Sequence, residues 1–173
     1  LAGVVAHEIA HSWTGNYVTC ATWDHFWLNE GWTVWFERKI KARRQGAEYL
    51  DFEAIGGYKS LVIANTNMAT EFTSLVLPIG DNDPDDAYSV VAYEKGFYFL
   101  LYLERKIGTE KFEAFFQAYI KRFASSTVDS GEFQECLLQY FASDSAALVV
   151  LQEIDWQAWL YGTGMLPSIV EYD

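Results

Sequence analysis

The stretch His7-Glu8-Ile9-Ala10-His11, with Trp27-Leu28-Asn29-Glu30-Gly31 after it and eighteen residues between His11 and Glu30, decides how this chain is read. Val4, Val5, Ile9 and Trp13 are spaced for a helix around residues 2–14 with its apolar side toward a core. On a helix, positions i and i+4 lie one turn apart on the same face. His7 and His11 can then reach one ion at about 2.0–2.1 Å, the usual zinc–imidazole distance. Glu8, next to the first histidine, can act on a water beside that ion. The plainer alternative is three ordinary helix residues.

A catalytic zinc uses three protein ligands and keeps one position open. The metzincin pattern needs glycine three and histidine six residues after the second histidine; Thr14 and Tyr17 stand there, which excludes that class. The remaining route is a carboxylate on the next helix. Glu30 is spaced for a loop and an antiparallel return. Asp24 and His25 are rivals in the predicted loop. Glu37, two turns beyond Glu30, is another, either an exposed helix acid or an acceptor that fixes a histidine tautomer.

Outward from this core the chain reads as helices. Residues 15–27 form a loop, and Asn29 is placed to cap a second helix to about Arg44, with cations in its last turns. A third helix covers roughly 48–64. Residues 66–84 are polar, briefly β-prone at Leu75-Val76-Leu77, then turn-like. Asp83-Pro84-Asp85-Asp86 is a helix start, with cap, proline and two acids in order. That helix is expected to bend near Gly96 and stop at Gly108. Others follow from Thr109 to about 123, from the capping-box pair Asp129 and Glu132 to 142, and in short pieces near 144–152 and 155–161, before an extended tail. No internal repeat or linker divides the chain, so one mostly helical domain is expected.

Composition narrows the function. The 173 residues are one domain's worth, and 51% are apolar, which excludes a disordered polymer. Twelve basic against 24 acidic residues give a formal charge of −12, a poor match for nucleic acid or an anionic membrane surface. The longest apolar run, Phe97 to Leu103, is far short of the ~20 residues of a membrane helix. Cys20 and Cys136 form no disulfide framework; two reduced thiols suit the cytoplasm. The chain begins at Leu1, nearly on top of its motif, and is read as a piece of a longer protein whose leader cannot be judged.

The motifs resemble the gluzincin aminopeptidases, on the branch of leukotriene A hydrolase and its aminopeptidase relatives. The likeness lies in H-E-x-x-H, the eighteen-residue gap and N-E-G; in His11-Ser12-Trp13-Thr14-Gly15-Asn16 and Thr22 to Gly31; in Asp83 to Ser89; in Val91-Ala92-Tyr93-Glu94-Lys95-Gly96; and in Trp156 to Asp173. It implies the helical part of a thermolysin-like zinc peptidase catalytic domain, residues 1–173. One zinc would be held by His7, His11 and Glu30. Glu8 would be the general base, Tyr93 would steady the oxyanion, and Asp85 and Tyr88 would line the substrate pocket. The implied substrates are peptides with a free amino terminus, with a lipid epoxide as a second activity of the branch, in the cytoplasm. The family's G-x-M-E-N segment, which binds the substrate amine, is absent, as are the downstream helical domain and the basic residues that hold the leukotriene carboxylate. Ala92 stands where the family carries proline. The isolated chain is therefore expected to have little activity. The reading from another class is an inactive helical zinc-binding or interaction module descended from such an enzyme.

Overall fold

The computed structural model describes residues 2–168; the last five residues of the expected tail lie outside the described residues. Helix α1 spans Ala2–Ala10, not 2–14. The chain turns at His11 because residues 11–18 fold back on themselves: Gly15 N donates to Val18 O at 2.7 Å and Val18 N to Trp13 O at 2.9 Å. Gly15 is required twice over. Its φ of +133° is open to glycine, and a Cβ there would lie 2.8 Å from His11 Nδ1.

Strand β1 (Val18–Cys20) follows and pairs in parallel with β2 (Ser126–Val128), a two-stranded sheet absent from the sequence expectations. After a 3-10 turn at Trp23–His25, helix α2 runs Trp27–Gln45. It begins two residues before the expected cap. Asn29 does not cap it; its Oδ1 accepts from Cys20 N at 2.8 Å and ties the helix to β1.

Helix α3 (Glu48–Asn67) returns alongside, and a 3-10 turn covers Thr70–Thr73. Leu75-Val76-Leu77 forms no strand. Val76 N donates to Leu160 O in the last helix and Leu77 N to Asp24 O in the 3-10 turn, so this extended piece is held by two distant elements and not by a neighbouring strand. Asp83 caps as expected, accepting from Asp85 N, but helix α4 is only Pro84–Ala87. The break falls at Tyr88, and Ser89 starts α5 (Val90–Ile107) afresh. Nothing interrupts α5 at Gly96. That glycine instead lets α5 meet α2: a Cβ on Gly31 would sit 2.9 Å from Gly96 Cα, and one on Gly96 3.0 Å from Gly31 Cα.

Gly108, at φ +100°, ends α5 as expected, and α6 (Thr109–Arg122) follows. Helix α7 (Ser130–Tyr140) carries the anticipated capping box of Asp129 and Glu132, and α8 (Ser145–Gln152) and α9 (Trp156–Tyr161) close the bundle. The core is aromatic: Trp27, Trp32, Trp35, Phe97, Phe99, Phe112, Phe115 and Phe133 are all essentially inaccessible. Buried with them is Lys95, whose ammonium donates to the carbonyls of Thr73, Gly162 and Gly164 at 2.8–3.0 Å. Burial lowers its pKa to about 8, and the three carbonyls supply what water no longer does. The ammonium thus pins α5 to the Thr70–Thr73 turn and to the segment after α9, which meet each other where Gly164 N donates to Thr73 Oγ1 at 2.7 Å.

Candidate metal centre and substrate cavity

Helix α1 and the turn after it present His7 and His11, and the first turn of α2 presents Glu30. Among the described residues, these three form the group of ligand-type side chains able to hold an ion, their donor atoms lying within 4.8 Å of one another. Glu30 Oε2 is 3.3 Å from Nε2 of both histidines. Two ligands bound at about 2.1 Å and separated by a tetrahedral angle stand roughly 3.4 Å apart. Glu30 Oε2 is buried and makes no well-aligned hydrogen bond, a costly condition for a carboxylate oxygen. The donor set and spacing thus fit a small divalent cation.

Each imidazole is held from behind. His7 Nδ1 is 3.1 Å from Glu37 Oε2, and Glu37 is itself gripped by Lys41 (2.6 Å), which also reaches Glu53 (2.9 Å). His11 Nδ1 is 2.9 Å from the Thr14 carbonyl oxygen and 3.2 Å from Thr33 Oγ1. With Nδ1–H of each ring turned toward Glu37 or the Thr14 carbonyl, it is Nε2 that would lose its proton to an ion held beside Glu30. Without a metal, contact with Glu30 and then Glu37 outweighs burial and pushes the His7 pKa up to about 9; Glu30 raises His11 as well. For Glu30 and Glu37, burial acts upward, but the histidines, and Lys41 at Glu37, hold both carboxyls below their ordinary range.

Glu37 is thus no exposed helix acid; it lies against His7 Nδ1, where the second of its two sequence readings needs it. The rivals fall away: Asp24 Oδ1 accepts from Ile79 N at 3.2 Å, and His25 Nδ1 lies 2.9 Å from Ser130 Oγ. Sequence reasoning missed Thr14 and Thr33, whose hydroxyls are 2.6 Å apart in the buried floor under His11. Thr33 lies one residue short of a turn from Glu30, a signal too common to single it out.

Glu8 is exposed on α1, next to His7. Tyr93, near the start of α5, stacks on the His7 ring with centroids 6.0 Å apart. Its hydroxyl is 2.8 Å from that of Tyr88. Burial first, then the Tyr88 contact and the Glu30 charge, raise its pKa, so the phenol remains a proton donor. Asp85 and Tyr88 lie on the wall of a cavity of about 220 Å³, completed by Trp23, Phe26, Leu77, Ile79 and Pro84. Tyr88 and Tyr93 each lie within about 6.3 Å of the Phe26 ring, so this cavity adjoins the metal centre. The apolar members went unrecognised in the sequence because three separate segments supply them.

Comparison with known proteins settles the family. The family model described as the peptidase family M1 domain matches residues 1–159. The chain belongs to peptidase family M1. Leucine aminopeptidase 2 of Coccidioides immitis is 49% identical to this M1 chain over 167 residues, 95% of the chain and 27% of the relative. The leukotriene A-4 hydrolase homolog of Botryotinia fuckeliana is 49% identical over 172 residues, 98% of the chain and 26% of that protein. The M1 chain thus spans about a quarter of the length of these curated relatives. Native leukotriene A4 hydrolase from Saccharomyces cerevisiae superposes with a TM-score of 0.92 at 41% identity, over 97% of the chain and 27% of that structure. The M1 chain is accordingly the mainly helical part of a metallopeptidase fold. No helix among the described residues is long and apolar enough to cross a membrane.

Proposed function

We propose that the protein carrying this chain is a zinc aminopeptidase, with His7, His11 and Glu30 as the zinc ligands. The observation that carries this is the buried Glu30 Oε2, which makes no well-aligned hydrogen bond and stands 3.3 Å from both Nε2 atoms. It is joined to the membership in a metallopeptidase family and to relatives named leucine aminopeptidase. Bound zinc supplies Lewis-acid chemistry, polarising the peptide carbonyl and making water a nucleophile near neutral pH. Glu8, exposed beside His7, takes the proton of the attacking water and returns it to the departing amine. Tyr93 donates its hydroxyl hydrogen to the oxygen that becomes negative as the carbonyl carbon turns tetrahedral, a contact worth a few kcal/mol in other hydrolases. Glu37 and the Thr14 carbonyl keep the two imidazoles oriented. The Asp85–Tyr88 cavity takes a side chain of a peptide with a free amino terminus.

The cavity's apolar wall, with Asp85 among its lining residues, favours a second reading in which a lipid epoxide also enters it. The test of the main reading is chromophore release from aminoacyl anilides by the full-length protein and its Glu8→Gln variant. Activity in the parent and its loss in a variant that keeps one zinc support the proposal. Unchanged turnover in the variant removes Glu8 as base. Silence of the zinc-loaded parent toward peptides and anilides overturns the aminopeptidase reading.

A further inference from the structure

We propose that Arg38 and Glu94 are a positioning pair that sets the Tyr93 hydroxyl against the metal centre. Arg38 Nη1 and Nη2 donate to Glu94 Oε2 and Oε1 at 2.9 and 2.8 Å, a two-pronged contact between α2 and α5. Both side chains are nearly buried, at 7% and 13% exposure, and the guanidinium lies 4.2 Å over the Phe97 ring. A buried ion pair is a poor source of stability, because desolvation offsets most of the attraction. What it does supply is direction: the planar fork fits a carboxylate in one geometry.

Its place in the chain says what is being directed. Arg38 follows Glu37, the residue against His7, and lies about two turns beyond Glu30 on the same helix. Glu94 follows Tyr93. The fork therefore joins the two helices at the residues next to those that face the metal centre. The Gly31–Gly96 contact already brings the helix backbones together. That contact sets their separation, and the fork fixes their register at this end, as Trp35 Nε1 and Lys39 Nζ, both donating to Glu104, do further along. Helix α3 closes over the pair with a bare backbone: a Cβ on Gly57 would lie 1.9 Å from Glu94 Oε2 and 2.9 Å from Arg38 Nη2. Three helices thus converge on this contact, whose polar atoms pair with one another and not with His7, His11 or Glu30.

The inference rests on the reading of Tyr93 as the oxyanion donor, so its test must separate the two. In the zinc-loaded full-length protein, Glu94→Gln keeps the shape of the side chain and breaks the charge pairing. Zinc content and KM should stay as they are. The kcat should fall about ten- to a hundredfold, the scale of a misplaced catalytic group. In a Tyr93→Phe background, the same substitution should change kcat by less than about twofold, since the hydroxyl it misplaces is already gone. Arg38→Lys, which keeps the charge but not the fork, should behave like Glu94→Gln. Equal losses from Glu94→Gln in both backgrounds, a loss confined to KM, or full activity in Arg38→Lys would each overturn the proposal. If Tyr93→Phe alone leaves kcat unchanged, the reading of Tyr93 fails and the inference falls with it.

Discussion

On the proposed ligand set zinc and protons would compete for His7, and the size of the competition follows from its surroundings. With the metal absent, Glu30 and Glu37 push the His7 pKa from 6.5 to about 9. At pH 7 the imidazole nearest Glu37 is then mostly protonated in the metal-free protein, and a zinc ion held there would have to displace that proton. Two pH units correspond to about a hundredfold, or roughly 2.7 kcal/mol. Apparent zinc affinity should therefore rise about tenfold per unit between pH 7 and 9 and then level off; His11, also raised by Glu30, steepens the rise. Glu37→Gln separates the two effects. It weakens His7 as a ligand, about ten- to a hundredfold for a removed partner of this kind. It also lowers the His7 pKa and relieves the proton competition. The affinity deficit of the variant should thus be largest near pH 9 and shrink toward pH 6.5. The assay is competition for zinc against a chromophoric chelator across that range, using the full-length protein. The same shift has the opposite sign for the metal-free fold. Its stabilising share is full below pH 6.5 and is lost as pH rises through about 9, so the metal-free melting temperature should decline over that interval. A zinc affinity flat with pH, or a Glu37→Gln deficit equal at every pH, would refute the reasoning.

Gly31→Val places atoms where a Cβ alone would stand 2.9 Å from the Gly96 backbone. It should cost about 2–3 kcal/mol, seen as a melting temperature lower by about 5–10 °C. Lys95→Met strands the carbonyls of Thr73, Gly162 and Gly164. A loss of about 3 kcal/mol in urea unfolding is expected, and an unchanged midpoint would show that water replaces the ammonium. Asp129→Ala removes half of a capping box that closes with bonds of 2.8 and 2.9 Å; it should cost about 1 kcal/mol by the same measurement and leave zinc binding alone.

Local rules were legible in the sequence wherever the partner of a residue lay within one or two turns. Asp129 with Glu132, Asp83 with Pro84, and Gly108 each stand where capping chemistry places them. His7 and His11 are grouped by helix geometry, and Glu30 by its spacing and the motif around it. Where a distant segment competes, local reasoning fails. Asn29 has the chemistry of a cap, but Cys20 N claims its oxygen. Gly96 has the freedom for a bend, but the missing side chain serves contact with Gly31. Strands of three residues are too short to display alternation, so β1 and β2 left no trace. The cavity beside Tyr88 draws on segments more than fifty residues apart, which no periodicity reveals.

The order in which the polypeptide closes its loops has a bearing on when the site can form. Val18 and Ser126, partners in the small sheet, are 108 positions apart, whereas His7 and Glu30 are separated by only 23. Loop-closure entropy makes the longer ring roughly 1.4 kcal/mol more costly to close. The three side chains proposed to hold zinc can thus gather on a nascent chain long before the ribosome delivers the strand that clamps the segment between them. Zinc taken up at that stage would act as an early cross-link, and the sheet as the late latch.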